Sequence, residues 1–153
     1  MNDYTNLIAT IEKTGSEIYW LGSATDDQIK ILEDLLEFNL PASFKEFLKL
    51  YGGGGVVEAE ISGIENNDAL NDSGGTVYGD TLTVREDYQL PEKLAVIFFR
   101  DDEVCWCIDA SNSKTQDEFP IVSYNLFSRK VDRKISDSFE NFFEEYLTLR
   151  SKP

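Results

Sequence analysis

Residues 40–55, Leu-Pro-Ala-Ser-Phe-Lys-Glu-Phe-Leu-Lys-Leu-Tyr-Gly-Gly-Gly-Gly, are the stretch of sequence that decides the fold. Pro41 suits the first turn of a helix, and the apolar side chains after it recur at the spacing of one helical face: Phe44, Phe47, Leu48 and Tyr51. A phosphate-binding loop would precede a helix, whereas this glycine run follows one, at the negative end of the helix dipole. We therefore predict that Gly52–Gly55 end the helix with a left-handed cap and then bring the backbone close to a neighbouring strand.

Two further helices are predicted upstream of this stretch. The first can be capped by Asn2 or Asp3, ends at Gly15 and has an apolar face of Tyr4, Leu7, Ile8 and Ile11. The second begins at a capping box formed by Thr25 and Gln28, and its buried stripe is Ile29, Leu32, Leu35 and Leu36. The interruption at residues 39–41 separates it from the third helix.

The second half of the chain has the character of strands. Residues 56–61 alternate apolar side chains with Glu58 and Glu60, which predicts a strand with one acidic, exposed face. Residues 66–75 read as a polar loop, and residues 76–90 fit either a strand or a helix, of which we favour the helix. The apolar runs at 94–99 and 103–108 predict a hairpin whose second strand is covered on both faces.

The chain closes with a short strand at residues 120–124 and a final helix capped near Ser136 or Asp137. The stripe of that helix is Phe139, Phe142, Phe143, Tyr146 and Leu147. Helices, then hairpin-linked strands, then a helix indicate an α+β fold with a mainly antiparallel sheet packed against several helices. We expect residues 1–153 to form a single domain.

The two cysteines, Cys105 and Cys107, lie two residues apart within an apolar run. In a strand both would point to the same face, with Cβ atoms too far apart for an unstrained disulfide. Two thiolates without a second pair and without histidine cannot complete a structural zinc site. We predict buried, reduced cysteines.

Several motifs in order resemble the SUKH superfamily, the Smi/Knr-type domain. The resembling segments, from about residue 18 to 147, are Gly22 to Ile29, Leu40-Pro41, Phe44 to Leu48, Tyr51 to Gly54, Ile61-Ser62-Gly63, Pro120-Ile121-Val122 and Asp137 to Phe142. The resemblance implies a small α+β fold that bacteria use in immunity proteins, which bind and neutralise a toxin encoded beside them, frequently a nuclease. A fungal branch acts as a cell-wall synthesis regulator and adaptor.

The missing histidine restricts the chemistry of this protein. The chain has no His, which removes Ser-His-Asp and Cys-His catalysis and histidine general bases. A Ser-Lys dyad or a carboxylate pair remains open, although with 29 Asp and Glu some pair will approach a glycosidase-like distance by chance. We therefore predict a protein that is not an enzyme and that has no cofactor and no metal site.

The charge of the chain indicates its kind of partner. Lys and Arg total 14 against 29 Asp and Glu, for a formal net charge of −15. That charge disfavours nucleic acid and anionic membranes as partners and favours a basic protein, although acidity can also serve solubility alone. No signal peptide or membrane span is recognisable, so we expect a cytoplasmic protein. The candidate partner-binding residues are exposed acids near strand and loop ends: Glu58, Glu60, Glu65, Asp68, Asp87, Asp101, Asp102 and Glu103.

Two functions follow as hypotheses from the resemblance and the charge together. One is an immunity protein that neutralises a basic toxin, such as a nuclease domain, by covering its surface. The alternative is a non-catalytic regulatory adaptor of the Smi/Knr type. A toxin-like reading frame next to the gene would favour the first hypothesis.

Overall fold

A computed structural model describes residues 3–99, 102–112 and 118–152 of the chain. The helices among these residues are α1 (Thr5–Lys13), α2 (Asp26–Leu36), α3 (Ala42–Tyr51), α4 (Val77–Tyr88) and α5 (Phe139–Arg150). The strands are β1 (Ile18–Trp20), β2 (Gly54–Val56), β3 (Leu94–Phe99), β4 (Val104–Asp109), β5 (Ile121–Asn125) and β6 (Lys130–Ser136). Short 3-10 turns cover Glu65–Asn67 and Ala110–Asn112.

The strands form two antiparallel sheets. A four-stranded sheet has the order β3-β4-β5-β6, and β1 pairs with β2 in a separate two-stranded ladder. The predicted hairpin is confirmed, because β3 and β4 pair from Leu94 opposite Asp109 to Phe99 opposite Cys105. The α+β class and the antiparallel sheet are confirmed as well, and so is the helix favoured for residues 76–90.

The central strand β4 is covered on both faces, as predicted. On one face Cys105 and Cys107 are fully buried in a cluster with Val84 of α4. On the other face Ile108 belongs to the larger core, which includes Phe142 of α5. The sheet therefore lies between α4 on one side and α5 on the other.

A bulge in β3 determines which of its aromatic side chains faces which side. The register shifts between Val96 and Phe98, so that Phe98 lies opposite Trp106 and Phe99 opposite Cys105. The extra residue, Ile97, shares the larger core with Phe98. Phe98 consequently faces α5, and Phe99 lies on the opposite side of the sheet.

The glycine run behaves as the sequence predicts. Gly52 caps α3 in the left-handed conformation (φ 78°), and its N–H donates to the carbonyl of Leu48 at 2.9 Å. Gly54 then passes β1 so closely that a Cβ on it would lie 2.1 Å from the carbonyl oxygen of Tyr19. Because glycine has no side chain, the backbone of β2 can come close enough to pair directly with β1.

The strand predicted for residues 56–61 is wrong. The strand β2 begins earlier, within the glycines, and ends at Val56. The chain then reverses so that Ile61 returns to Gly54, with two hydrogen bonds of 2.7 and 2.9 Å between their backbones. Glu58 lies in this turn with a positive φ of 78°. The alternating carboxylates therefore belong to a tight turn. A segment this short cannot show from its alternation alone whether it forms a strand or a turn.

The last strand and the ends of two helices also differ from the prediction. β6 has no counterpart in the sequence analysis, because a mostly exposed, charged edge strand has no apolar alternation. Since β6 extends to Ser136, α5 begins later than predicted, with Ser138 accepting a hydrogen bond from the N–H of Asn141 at 3.1 Å. At α2, Thr25 caps Gln28 as predicted, but the Gln28 side chain accepts from the N–H of Ala69 and does not complete the capping box.

Candidate partner-binding site

A groove of about 570 Å³ lies beside the turn that follows β2. Its carboxylates are Glu58 and Glu60 on the turn and Glu65 at the start of the first 3-10 turn. Two aromatic rings also line it, Tyr19 from β1 and Phe99 from the end of β3, and these side chains are 57% and 41% exposed. We call this cavity the first groove.

Tyr146 of α5 holds the turn that bears Glu58 and Glu60 from the core side. The Tyr146 hydroxyl accepts a hydrogen bond from the N–H of Val56 at 2.9 Å and donates one to the carbonyl of Ala59 at 2.6 Å. One buried side chain thus ties both ends of the turn to the core. The carboxylates of the first groove are presented on a backbone that is already ordered.

A buried carboxylate, Asp80 of α4, also lines the first groove. Its side chain accepts hydrogen bonds from the Ser62 hydroxyl at 2.6 Å and from the N–H of Gly75 at 3.2 Å. Burial raises the pKa of Asp80, and the hydrogen bonds from Ser62 and Gly75 act in the opposite direction. No sequence pattern indicates Asp80 as a site residue, because residues 76–90 have no clear period and Asp80 belongs to no motif.

A second groove of about 470 Å³ adjoins the first, because Phe99 lines both. Its carboxylates are Asp87, near the end of α4, and Asp102, in the β3–β4 connection. Phe127, in the turn between β5 and β6, also lines this groove, and its side chain is 74% exposed. We call the two grooves together the acidic face.

The acidic face gathers five of the eight predicted residues: Glu58, Glu60, Glu65, Asp87 and Asp102. Asp68 and Glu103 are exposed but line neither groove. Asp101 lies outside the described residues. Tyr19, Phe99 and Phe127 could not be predicted as site residues, because an aromatic side chain in or next to a strand is typical of the core until the sheet shows which side it occupies.

The chemistry of the acidic face suits a cationic partner. Among the described residues, no Lys or Arg lines either groove. Carboxylates can pair with a guanidinium or ammonium group, and exposed aromatic faces attract the same cations. Aromatic side chains that are exposed in the free protein also supply much of the binding energy in protein interfaces.

Neither a metal site nor a membrane span is found over the described ranges, 3–99, 102–112 and 118–152. Within them, no group of three or more Cys, Asp or Glu side chains is arranged to hold a metal ion. No helix within them has the length and apolar character needed to cross a bilayer.

A comparison with known protein families gives a match that covers nearly the whole chain. The matching family is SUKH_5, with the description SMI1-KNR4 cell-wall, and the match runs over residues 4–148. The matched range includes all six strands, the point where Gly54 passes β1, and both grooves of the acidic face. The resemblance seen in the motifs is thereby confirmed: the chain belongs to the SUKH_5 family of the SUKH superfamily.

Proposed function

We propose that this protein is an immunity protein of the cytoplasm that neutralises a cognate basic toxin, such as a nuclease domain, by covering the toxin with its acidic face. Membership of the SUKH_5 family supports an immunity or Smi/Knr-like role in general and is typical of non-catalytic proteins. The toxin as partner and the acidic face as the contact surface are the specific parts of the proposal.

The observation that carries the proposal is the continuity of the acidic face. Two adjoining grooves share Phe99, five of the predicted carboxylates line them, and no described lining residue is a cation. An interface of ordinary size buries about 1,200–2,000 Å² in total, so the contact would include both grooves and the surface around them. Phe99 lies at the centre of such an interface, where anchor residues contribute most.

The overall charge acts at longer range in the same direction. A net charge of −15 attracts a basic partner and speeds its encounter, with association rates toward about 10⁸ M⁻¹s⁻¹ at low salt. The same charge repels the backbone of nucleic acids and anionic lipid surfaces. We therefore propose direct protein–protein contact without a nucleic-acid or membrane partner.

The primary experiment is co-expression with the protein encoded beside this gene. If the proposal is right, cells that express the C-terminal domain of that neighbour survive only when the wild-type chain is present. Equal survival with an empty vector would show that the neighbour is no toxin. Cell death despite a soluble, folded immunity chain would contradict neutralisation.

A second experiment tests the acidic face with charge-matched variants. The double substitution of Glu58 and Glu60 by Gln should slow association about tenfold at low salt and reduce its salt dependence. Replacing Glu12 and Glu144, which line neither groove, with Gln removes the same charge and serves as the control. Equal effects of the two pairs would assign the attraction to net charge alone and would contradict a specific acidic face.

The neighbouring residues Asp102 and Glu103 provide a further matched pair. Asp102 lines the second groove, whereas Glu103 lines neither groove. Both charge reversals, Asp102→Lys and Glu103→Lys, should slow association, because they lie within one Debye length of each other. Only Asp102→Lys should also speed dissociation of the complex, and unchanged dissociation would remove the second groove from the interface.

The aromatic side chains of the acidic face give a separate test. Phe99→Ser should weaken binding by about 2 kcal/mol, or roughly thirtyfold, if Phe99 is an anchor of the interface. Leu50→Ser removes an exposed apolar side chain of α3 outside both grooves and should leave the affinity unchanged. Melting temperatures of both variants confirm that each is folded.

A regulatory adaptor is the second candidate, and the description of the matched family, which names the cell wall, favours it. An adaptor would bind a cellular protein through the same acidic face without protecting any cell from a toxin. Protection in the co-expression experiment separates the two candidates.

A further inference from the structure

A third cavity, of about 340 Å³, lies on the other side of the four-stranded sheet from the acidic face. It is bounded by β3, β4 and β6 and by the last turns of α5. Phe98 lines it, whereas the next residue, Phe99, lines the acidic grooves, and successive strand residues point to opposite sides. We call it the α5 pocket.

Two guanidinium groups line the α5 pocket. The guanidinium of Arg150 lies 3.9 Å from the centre of the Tyr146 ring and donates a hydrogen bond to the Tyr146 carbonyl at 3.0 Å. Arg133 reaches the pocket from the exposed edge strand β6. One carboxylate, Glu145, also lines it and is exposed to solvent. The pocket is thus locally cationic in a chain whose net charge is −15.

The remaining wall of the pocket is aromatic. Phe98, Trp106 and Phe142 line it, with ring centres 5.3–6.1 Å apart. The indole N–H of Trp106 is buried and has no hydrogen-bond acceptor in the described part of the chain.

We propose that the α5 pocket binds a small monocarboxylate that carries one aromatic ring. The carboxylate lies between Arg133 and Arg150, and the ring packs against Phe98, Trp106 and Phe142. The volume of the pocket is at the small end of the range for ligand sites, which suits a single ring. Guanidinium groups pair with carboxylates through two parallel hydrogen bonds, and this pairing excludes a neutral amide of the same shape. The α5 pocket shares no lining residue with the acidic face, and binding there requires no toxin.

The test uses phenylacetate as the probe and phenylacetamide as its neutral control, both titrated into the full chain and followed by ¹H–¹⁵N NMR. The chain has two Trp, so two indole N–H signals are present, and a Trp20→Phe variant assigns them. Phenylacetate should shift the Trp106 signal with a saturable Kd of about 1 mM and leave Trp20 unchanged. Phenylacetamide should bind about tenfold more weakly or not at all.

Charge-matched variants locate the contact. Arg150→Gln should weaken phenylacetate binding about tenfold, and Arg133→Gln about threefold, because Arg133 is more exposed. Lys13→Gln, which removes the same charge from α1 outside the pocket, should leave binding unchanged. Equal binding of acid and amide, equal effects of the three variants, or no saturable shift of the Trp106 signal would each overturn the proposal.

Discussion

The hydroxyl of Tyr146 in α5 donates a hydrogen bond of 2.6 Å to the carbonyl of Ala59, a residue 87 positions earlier in the chain. The same hydroxyl accepts from the N–H of Val56, so the final helix holds the turn that carries Glu58 and Glu60. Burial raises the pKa of Tyr146, which keeps the hydroxyl protonated as a donor over the physiological pH range. The geometry of the acidic face therefore depends on a residue that does not line it.

Tyr146→Phe should lower the free energy of unfolding by about 1–2 kcal/mol, because it removes one donor and one acceptor and leaves two backbone groups of the turn without partners. Amide hydrogen exchange at residues 56–60 should speed up more than exchange in β4. Tyr19→Phe removes an exposed hydroxyl and is the control, with an expected change within about 0.5 kcal/mol. Unchanged exchange in the turn would show that Tyr146 does not hold it.

Gly54→Ala should destabilise the fold by at least about 3 kcal/mol, or prevent folding, because the added Cβ would meet a backbone carbonyl and because φ is +98°. Gly74→Ala is the matched control, since its Cβ would meet no atom within 4 Å. That variant should be neutral or slightly more stable. Chemical denaturation of both variants measures the difference, and similar stabilities would contradict the close crossing of β1 and β2.

The stability of the Asp80→Asn variant relative to the wild type should depend on pH. Burial raises the pKa of Asp80 above its ordinary value, so the folded protein binds the proton more tightly than the unfolded chain does. The stabilising contribution of protonated Asp80 is fully present below the unfolded pKa and is lost as the pH rises through the folded pKa. The amide introduced by the substitution does not titrate, and its oxygen can still accept a hydrogen bond from Gly75 while its nitrogen donates to Ser62.

The free energy of unfolding of Asp80→Asn should therefore improve relative to the wild type as the pH rises through that interval. Urea denaturation of both proteins from about pH 3 to pH 7 measures the trend. A constant difference across the range would contradict the raised pKa.

The thiols of Cys105 and Cys107 should react with 5,5′-dithiobis(2-nitrobenzoate) at least about 100-fold more slowly in the native protein than in urea. Both side chains are fully buried, with sulfur atoms 3.8 Å apart, and burial raises the pKa of Cys107 well above its ordinary value. Both sulfur atoms are therefore inaccessible, and the thiolate of Cys107, which is its reactive form, is scarce. Ser128→Cys adds an exposed thiol that should react at once and confirms that the reagent is active.

Features of the fold that are encoded locally were predictable from the sequence. The stripe of α3, the left-handed cap at Gly52 and the Thr25 cap each depend on side chains within one or two helical turns. The turn at residues 57–59 and the strand β6 were missed, since the first is imposed by pairing of Gly54 with Ile61 and the second by pairing with β5. Both depend on contacts between segments that the sequence does not show to be neighbours.

The candidate site likewise has features that the sequence indicates and features that only the packing of distant segments creates. The sign of its charge and most of its carboxylates follow from composition and from position near predicted loops. The grouping of Asp87 with Asp102, and the role of Phe99 between the grooves, depend on the packing of α4 against the sheet. Asp80 was missed because a buried acid that binds Ser62 looks like any other helical acid in the sequence.

The bulge at Ile97 makes the register of β3 as important as the chemistry of its residues. If Ile97 paired evenly opposite Trp106, both following rings would rotate to the opposite side of the sheet. Phe98 would then turn away from Arg150, and Phe99 would leave the junction of the two grooves. A slip of one residue in the pairing of this strand would thus erase two separate surfaces at once, while every amino acid of the protein stayed the same.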